Sequence, residues 1–215
     1  VAITTTQPET YVSIDIETDG PAPGIYSMLS LGAVAFDGAT DHEIGRWYEK
    51  LRPLPGASVD MDTQRWWEQQ HPDAYAEVRR DPQLAPAAML RFARWVSDLP
   101  ERPVAVAWPA AFDFGFVNWY LHKFAGRNPF GFAALDIRSY LDGLAAWPGY
   151  YGLPRDVTKK IAGVIDKTGL RPHVAVDDAL EQGRLFMALR RHALQVRQRE
   201  LDAELDRLRA ESGGA

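Results

Sequence analysis

The sequence predicts an α/β domain: a mixed β-sheet of three antiparallel strands plus two further strands, flanked by α-helices, with a long C-terminal helix. Three observations carry this. Three strand-like segments follow one another early in the chain with short links, as in an antiparallel meander. Later, short apolar runs alternate with helical segments, the pattern that covers a sheet with helices. Phe112, Phe116, Tyr120 and Phe124 recur at every fourth residue, the spacing of a helix packed on a sheet through one aromatic stripe.

Residues 1–10 read as a flexible arm. In the first strand Val12, Ile14 and Ile16 alternate with Ser13, Asp15 and Glu17, so the aliphatics share one face and the acids the other. Asp19-Gly20-Pro21-Ala22-Pro23-Gly24 breaks it. Strands follow over 28–36 and 43–51, the latter ended by Pro53-Leu54-Pro55-Gly56. Short helices are expected over 62–70 and 73–79. In the first of them, one of the adjacent Trp66 and Trp67 packs inward and the other stays half-exposed. The segment 86–99 is amphipathic through Met89, Leu90, Phe92, Ala93 and Val96. After the Glu101-Arg102-Pro103 break, 104–108 has the length and character of a buried central strand. Beyond the striped helix come a brief strand over 132–135 and helices over 136–145, with Asp136 as N-cap, and 154–162. A single helix is expected over 174–210. Leu194, Leu201 and Leu208 keep a seven-residue interval there with Leu205 between, a stripe suited equally to docking on the parent domain and to self-association. The expected divisions are therefore an arm at 1–10, a main domain at 11–192, and a C-terminal helical extension with a disordered tail at 193–215.

A chain of 215 residues suffices for one well-buried domain. No apolar run approaches the ~20 residues of a membrane helix, and the polar N-terminus carries no secretory pattern, so a cytoplasmic location is expected. Without cysteine, thiolate metal sites are excluded, which leaves oxygen and imidazole ligands. The net charge of −5 argues against a basic nucleic-acid clamp unless bound cations offset it.

The acids carry the chemistry. Two like charges ~4 Å apart at an effective dielectric of ~20 repel by about 4 kcal/mol, so Asp15 and Glu17 on one strand face call for a proton or a cation. Asp113, just after a central strand, falls in the first turn of its helix, where the dipole favours an ionised carboxylate. His173 follows Pro172 and stands at the lip of the last helix. On that helix Asp178 shares a line with Leu185 and Leu189, a core face. Asp177 lines up with Glu181, Arg184 and Arg191, a solvent face, and is expected at the surface. Asp15, Glu17, Asp113 and Asp178 are thus the candidate ligands of two hard divalent ions, Mg²⁺ or Mn²⁺, the arrangement used for in-line phosphoryl displacement. His173, with a reference pKa of ~6.5, is the candidate general base.

Asp15-Ile16-Glu17-Thr18, Phe112-Asp113 with Phe116, and His173-x-Ala175-x-x-Asp178 resemble the three motifs of the DEDDh exonucleases in the RNase H-like superfamily, over about residues 11–190. The resemblance implies an RNase H-like fold and a two-metal 3′-to-5′ exonuclease that releases nucleoside monophosphates from single-stranded DNA or RNA 3′ ends. It gives the same five residues the roles of ligands and base. It also places Ile16 and Thr18 beside the terminal nucleotide. By position, Phe114 and Trp108 are candidate base contacts, with core packing the alternative for each. Arg155, Lys159, Lys160 and Arg171 are candidate phosphate contacts. Trp108-Pro109 stand where such enzymes often carry His-Asn, and the C-terminal extension has no counterpart. A dedicated exoribonuclease is the alternative reading; a non-catalytic nucleic-acid-binding module is the rival from another class. No membrane contact is expected, and a homo-oligomer would form through the C-terminal helix.

Overall fold

The computed structural model describes residues 8–146, 163 and 165–212. The expected helix at 154–162, with Arg155, Lys159 and Lys160, lies outside them, as do residues 1–7 and the tail after Ser212. The described strands are β1 (Glu9–Thr18), β2 (Met28–Asp37), β3 (Glu43–Lys50), β4 (Arg102–Ala107) and β5 (Ala134–Asp136). The helices are α1 (Met61–Gln70), α2 (Pro72–Val78), α3 (Ala85–Ser97), α4 (Ala110–Tyr120), α5 (Ile137–Ala146) and α6 (Ala175–Ser212). A π-helical turn, Leu121–Ala125, extends α4 and stops at Gly126, whose φ of +72° suits glycine. Among the described residues no helix is long and apolar enough to cross a membrane.

The strands form one mixed sheet in the order β3-β2-β1-β4-β5. The β1–β2 and β2–β3 pairs are antiparallel, and β1–β4 and β4–β5 are parallel. This is the expected meander joined to a parallel half. The carboxyl ends of β1 and β4 therefore emerge at the same edge, which brings Asp15 and Glu17 to the connection that carries Asp113. β4 starts at Arg102 and so takes in Pro103, which the sequence had placed in a break. Pro103 pairs with Thr10 of β1, while β5 reaches only Ala105 to Ala107, so the missing N–H leaves no ladder bond unmade on the β5 side.

The period-two alternation of β1 sorts the core. Val12, Ile14 and Ile16 pack with Met89, Phe92, Val96, Phe116 and Tyr120 of α3 and α4. Tyr11, Val34, Phe36 and Val106 pack on the other face with Leu180, Phe186, Met187 and Leu189 of α6. Asp15 and Glu17 lie on this second face, under the start of α6. Trp67 is the inward tryptophan, 1% exposed with its indole N–H on the Thr18 carbonyl at 3.0 Å, and Trp66 is half-buried. At Glu17/Thr18 the β1–β2 register shifts, and the Tyr120 hydroxyl accepts the N–H of Met28 at 2.7 Å beside this irregularity.

Two glycines set how closely α6 approaches. A Cβ on Gly32 of β2 would overlap backbone atoms of Ala175 and Val176, and one on Gly183 would overlap Phe36 and Ser13. Gly32→Ala should therefore lift the first turn of α6, which carries Asp178, off the sheet and cost about 3 kcal/mol or more. Gly115→Ala, in open space on α4, should gain ~0.5–1 kcal/mol. Thermal melts of both variants check the pair; a Gly32→Ala protein as stable as its parent would contradict the close approach. Farther along α6, Leu194, Leu201, Leu205 and Leu208 are 43–55% exposed, so the stripe does not dock on the parent domain.

Candidate active site

Four chain segments converge on one cleft of about 370 Å³, lined by Asp15, Ile16, Glu17, Trp108, Pro109, Phe112, Asp113, Pro172, His173, Asp178, Glu181 and Gln182. Asp113 sits in the first turn of α4, 3% exposed, and its Oδ2 has no hydrogen-bond partner. The start of α4 is held by Asp136, whose Oδ2 accepts the Ala110 N–H at 2.8 Å. Its Oδ1 accepts the Ser139 N–H at 2.7 Å and caps α5 as expected. Asp178 lies in the first turn of α6 and accepts the His173 N–H at 2.8 Å. His173 has φ +61°, a left-handed conformation that costs a non-glycine residue roughly 1–2 kcal/mol, and Nδ1 of its ring is 3.9 Å from Glu17 Oε1. Ligand atoms of Glu17, His173 and Asp178 all lie within 4.8 Å of one another.

The electrostatics follow from crowding acids in a cleft. Burial, then the charges of Asp113, Glu17 and Asp178, push Asp15 well above the usual carboxylate range. Burial, with Asp178 and Asp113, raises Glu17 to about 8. Burial raises Asp113 to about 7, against hydrogen bonds from the backbone of Ile16 and its own N–H, while Asp136 adds to the rise. Burial likewise lifts Asp178 to about 6 despite the His173 N–H. Burial and the neighbouring His71 lower His173, so its ring is neutral at neutral pH. A site of this kind holds protons until cations displace them.

The structure brings together all five residues proposed from the sequence as ligands and base. Of the expected substrate contacts, Trp108 lines the cleft at 36% exposure. Ile16 also lines it, and Thr18 borders an adjoining pocket of about 270 Å³ that includes Trp66 and Phe112. Phe114 is a correction. It is 7% exposed and packs in the core with Phe130, whereas Phe112, packed against the core with its ring 5.2 Å from that of Phe116, also lines the cleft. Asp177 is another. It is 8% exposed because Arg171 folds over it, with Nε 2.9 Å from Oδ2, and it is not a surface residue. Arg171 is thereby engaged with Asp177.

Three residues at the site were missed. Gln182 donates its side-chain amide to Asp15 Oδ1 at 2.7 Å; its place four residues after Asp178 is the signal that would have found it. Trp66 and His71 box the His173 ring, with centroids 5.0 Å and 3.9 Å away. They come from α1 and its C-terminal cap, whose docking nothing in the local sequence announces.

Residues 10–189 match the family described as the 3'-5' exoribonuclease Rv2179c-like domain. The chain is 36% identical over 191 residues to the Escherichia coli 3'-5' DNA exonuclease Cap18, covering 84% of this chain and 91% of that protein. Among solved structures, the nuclease domain of 3'hExo, a DEDDh family member bound to rAMP, superposes with a TM-score of 0.58 at 14% identity, over 89% of this chain and 95% of that one. The zinc-bound E. coli ExoI–ssDNA complex gives 0.65 at 14% identity, over 89% of this chain and 42% of that one.

Proposed function

This chain belongs to the Rv2179c-like 3'-5' exoribonuclease domain family and is a 3′-to-5′ exonuclease, and on that premise we propose that it releases nucleoside monophosphates from single-stranded 3′ ends of DNA or RNA. In this reading Asp15, Glu17, Asp113 and Asp178 hold two divalent cations, Mg²⁺ or Mn²⁺, and His173 is the general base. The observation that carries it is the fit of the cleft to cations. Four carboxylates share one site, each raised above its ordinary pKa. The buried Asp113 Oδ2 has no partner, and an all-oxygen set with one imidazole suits a hard ion. Bound divalent cations supply a lowered pKa for water and stabilise charge on the leaving oxygen.

The chain's own residues do the rest. His173, neutral at working pH, accepts a proton from water as the new O–P bond forms and the bond from phosphorus to the 3′ oxygen breaks. The freed 3′ hydroxyl takes its proton from solvent. Trp66 and His71 restrict the His173 ring, and the Asp178 carboxylate anchors its backbone N–H. Trp108 and Phe112 line the cleft, and base–aromatic stacking of ~1–3 kcal/mol tolerates any sequence. His173→Ala should lower the rate about 10²–10⁴-fold and flatten the rise of activity with pH; an unchanged profile would remove His173 from the role of base.

The family description names RNA and the E. coli relative DNA, so the decisive assay supplies both. Purified protein is incubated with matched labelled DNA and RNA single strands, with free or blocked 3′ ends, in Mg²⁺, Mn²⁺ or chelator. The proposal predicts stepwise loss of mononucleotides from free ends of both sugars and none in chelator. Cleavage of blocked ends would contradict it. The alternative, an exoribonuclease dedicated to RNA, predicts that the DNA strand survives.

A further inference from the structure

Gln182 lies one turn after Asp178 on α6 and reaches across to β1. Its Nε2 donates to Asp15 Oδ1 at 2.7 Å, and its Oε1 is buried with no hydrogen-bond partner. A buried acceptor without a donor is costly. One held at the wall of an acidic cleft marks a place where a donor belongs, and the hydration water of a divalent cation is such a donor. The charges that act on Asp15 are those of Asp113, Glu17 and Asp178, all of which repel its carboxylate, and Gln182 is the side chain that hydrogen-bonds it. The amide holds one oxygen, Oδ1, of a residue that lines the cleft. We propose that Gln182 is a positioning residue, whose amide fixes the Asp15 rotamer that presents its other oxygen to a divalent cation. This rests on the reading of Asp15 as a cation ligand. A partner outside the ligand set that orients a ligand typically changes metal affinity about 10–100-fold when lost.

The test measures Mn²⁺ binding to the full chain by electron paramagnetic resonance of the free ion, without nucleic acid. Gln182→Met keeps the length and removes the donor. Gln182→Asn keeps the amide but withdraws it by one methylene, beyond reach of Asp15, and serves also if the methionine variant fails to fold. Both should weaken Mn²⁺ binding about 10–100-fold and leave the KM for an oligonucleotide unchanged, while kcat falls at limiting Mn²⁺ and recovers as Mn²⁺ is raised. Mn²⁺ affinity within about twofold of the parent in both variants, with Asp15→Asn losing binding, would overturn the role of Gln182 and leave the site reading intact. Unchanged binding in Asp15→Asn as well would overturn both.

Discussion

Asp113→Asn is expected to lower mononucleotide release about 10³-fold or more and, in the absence of divalent cations at pH 8, to raise the melting temperature. The two effects have one cause. Asp113 is buried at the start of α4 with an unpartnered oxygen, and its pKa is lifted to about 7. At pH 8 the cation-free protein must ionise it in a cleft already holding other acids. An amide carries no such charge. The relief is on the order of 2 kcal/mol after allowing for the amide's own unmet hydrogen bonds, or about 4–8 °C for a chain of this size. A residue with a purely structural role would lose stability and activity together. Melting curves with and without chelator, beside a single-turnover assay, check both halves.

The second large effect is on stability against pH. Glu17 and Asp113 have folded pKa values of about 8 and about 7, above the 4.5 and 3.8 of the unfolded chain. An acid whose folded pKa is raised contributes stability that is complete below its unfolded value and is lost as pH rises through its folded one. The cation-free protein should therefore melt progressively lower between about pH 4 and pH 8, by several kcal/mol at the top of the range. Saturating Mg²⁺ or Mn²⁺ should restore the loss, and restore more at pH 8 than at pH 5, because cations compete with protons for the same oxygens. Glu17→Gln should flatten the slope. A cation-free melting temperature that rises over this range would contradict the crowding of acids on which the site depends.

The residues that could be read from the sequence are those governed by local periodicity. Alternation along β1 placed Asp15 and Glu17 on a face apart from Val12, Ile14 and Ile16 because a strand's side chains reverse at every residue. The helical line of Leu185 and Leu189 pointed Asp178 inward. The same wheel misjudged Asp177, because the turn before α6 lays Arg171 on its carboxylate, a contact that no helical angle contains. Four-residue spacing put Phe112 in the core with Phe116 and Tyr120. Phe112 does pack against Phe116, and from the first turn of α4 it also lines the cleft, while Phe114 turns toward Phe130 from a loop. Trp66 and His71 became neighbours of His173 only when α1 docked, and that angle is set by Trp67 on the Thr18 carbonyl.

Crystals grown with Mn²⁺ offer the most direct measurement, through the anomalous scattering of the ion. Two peaks ~3.5–4 Å apart, both within bonding distance of oxygens from Asp15, Glu17, Asp113 and Asp178, are the predicted result. Peaks elsewhere in an active, Mn²⁺-dependent protein, or these acids turned toward separate surroundings, would contradict it.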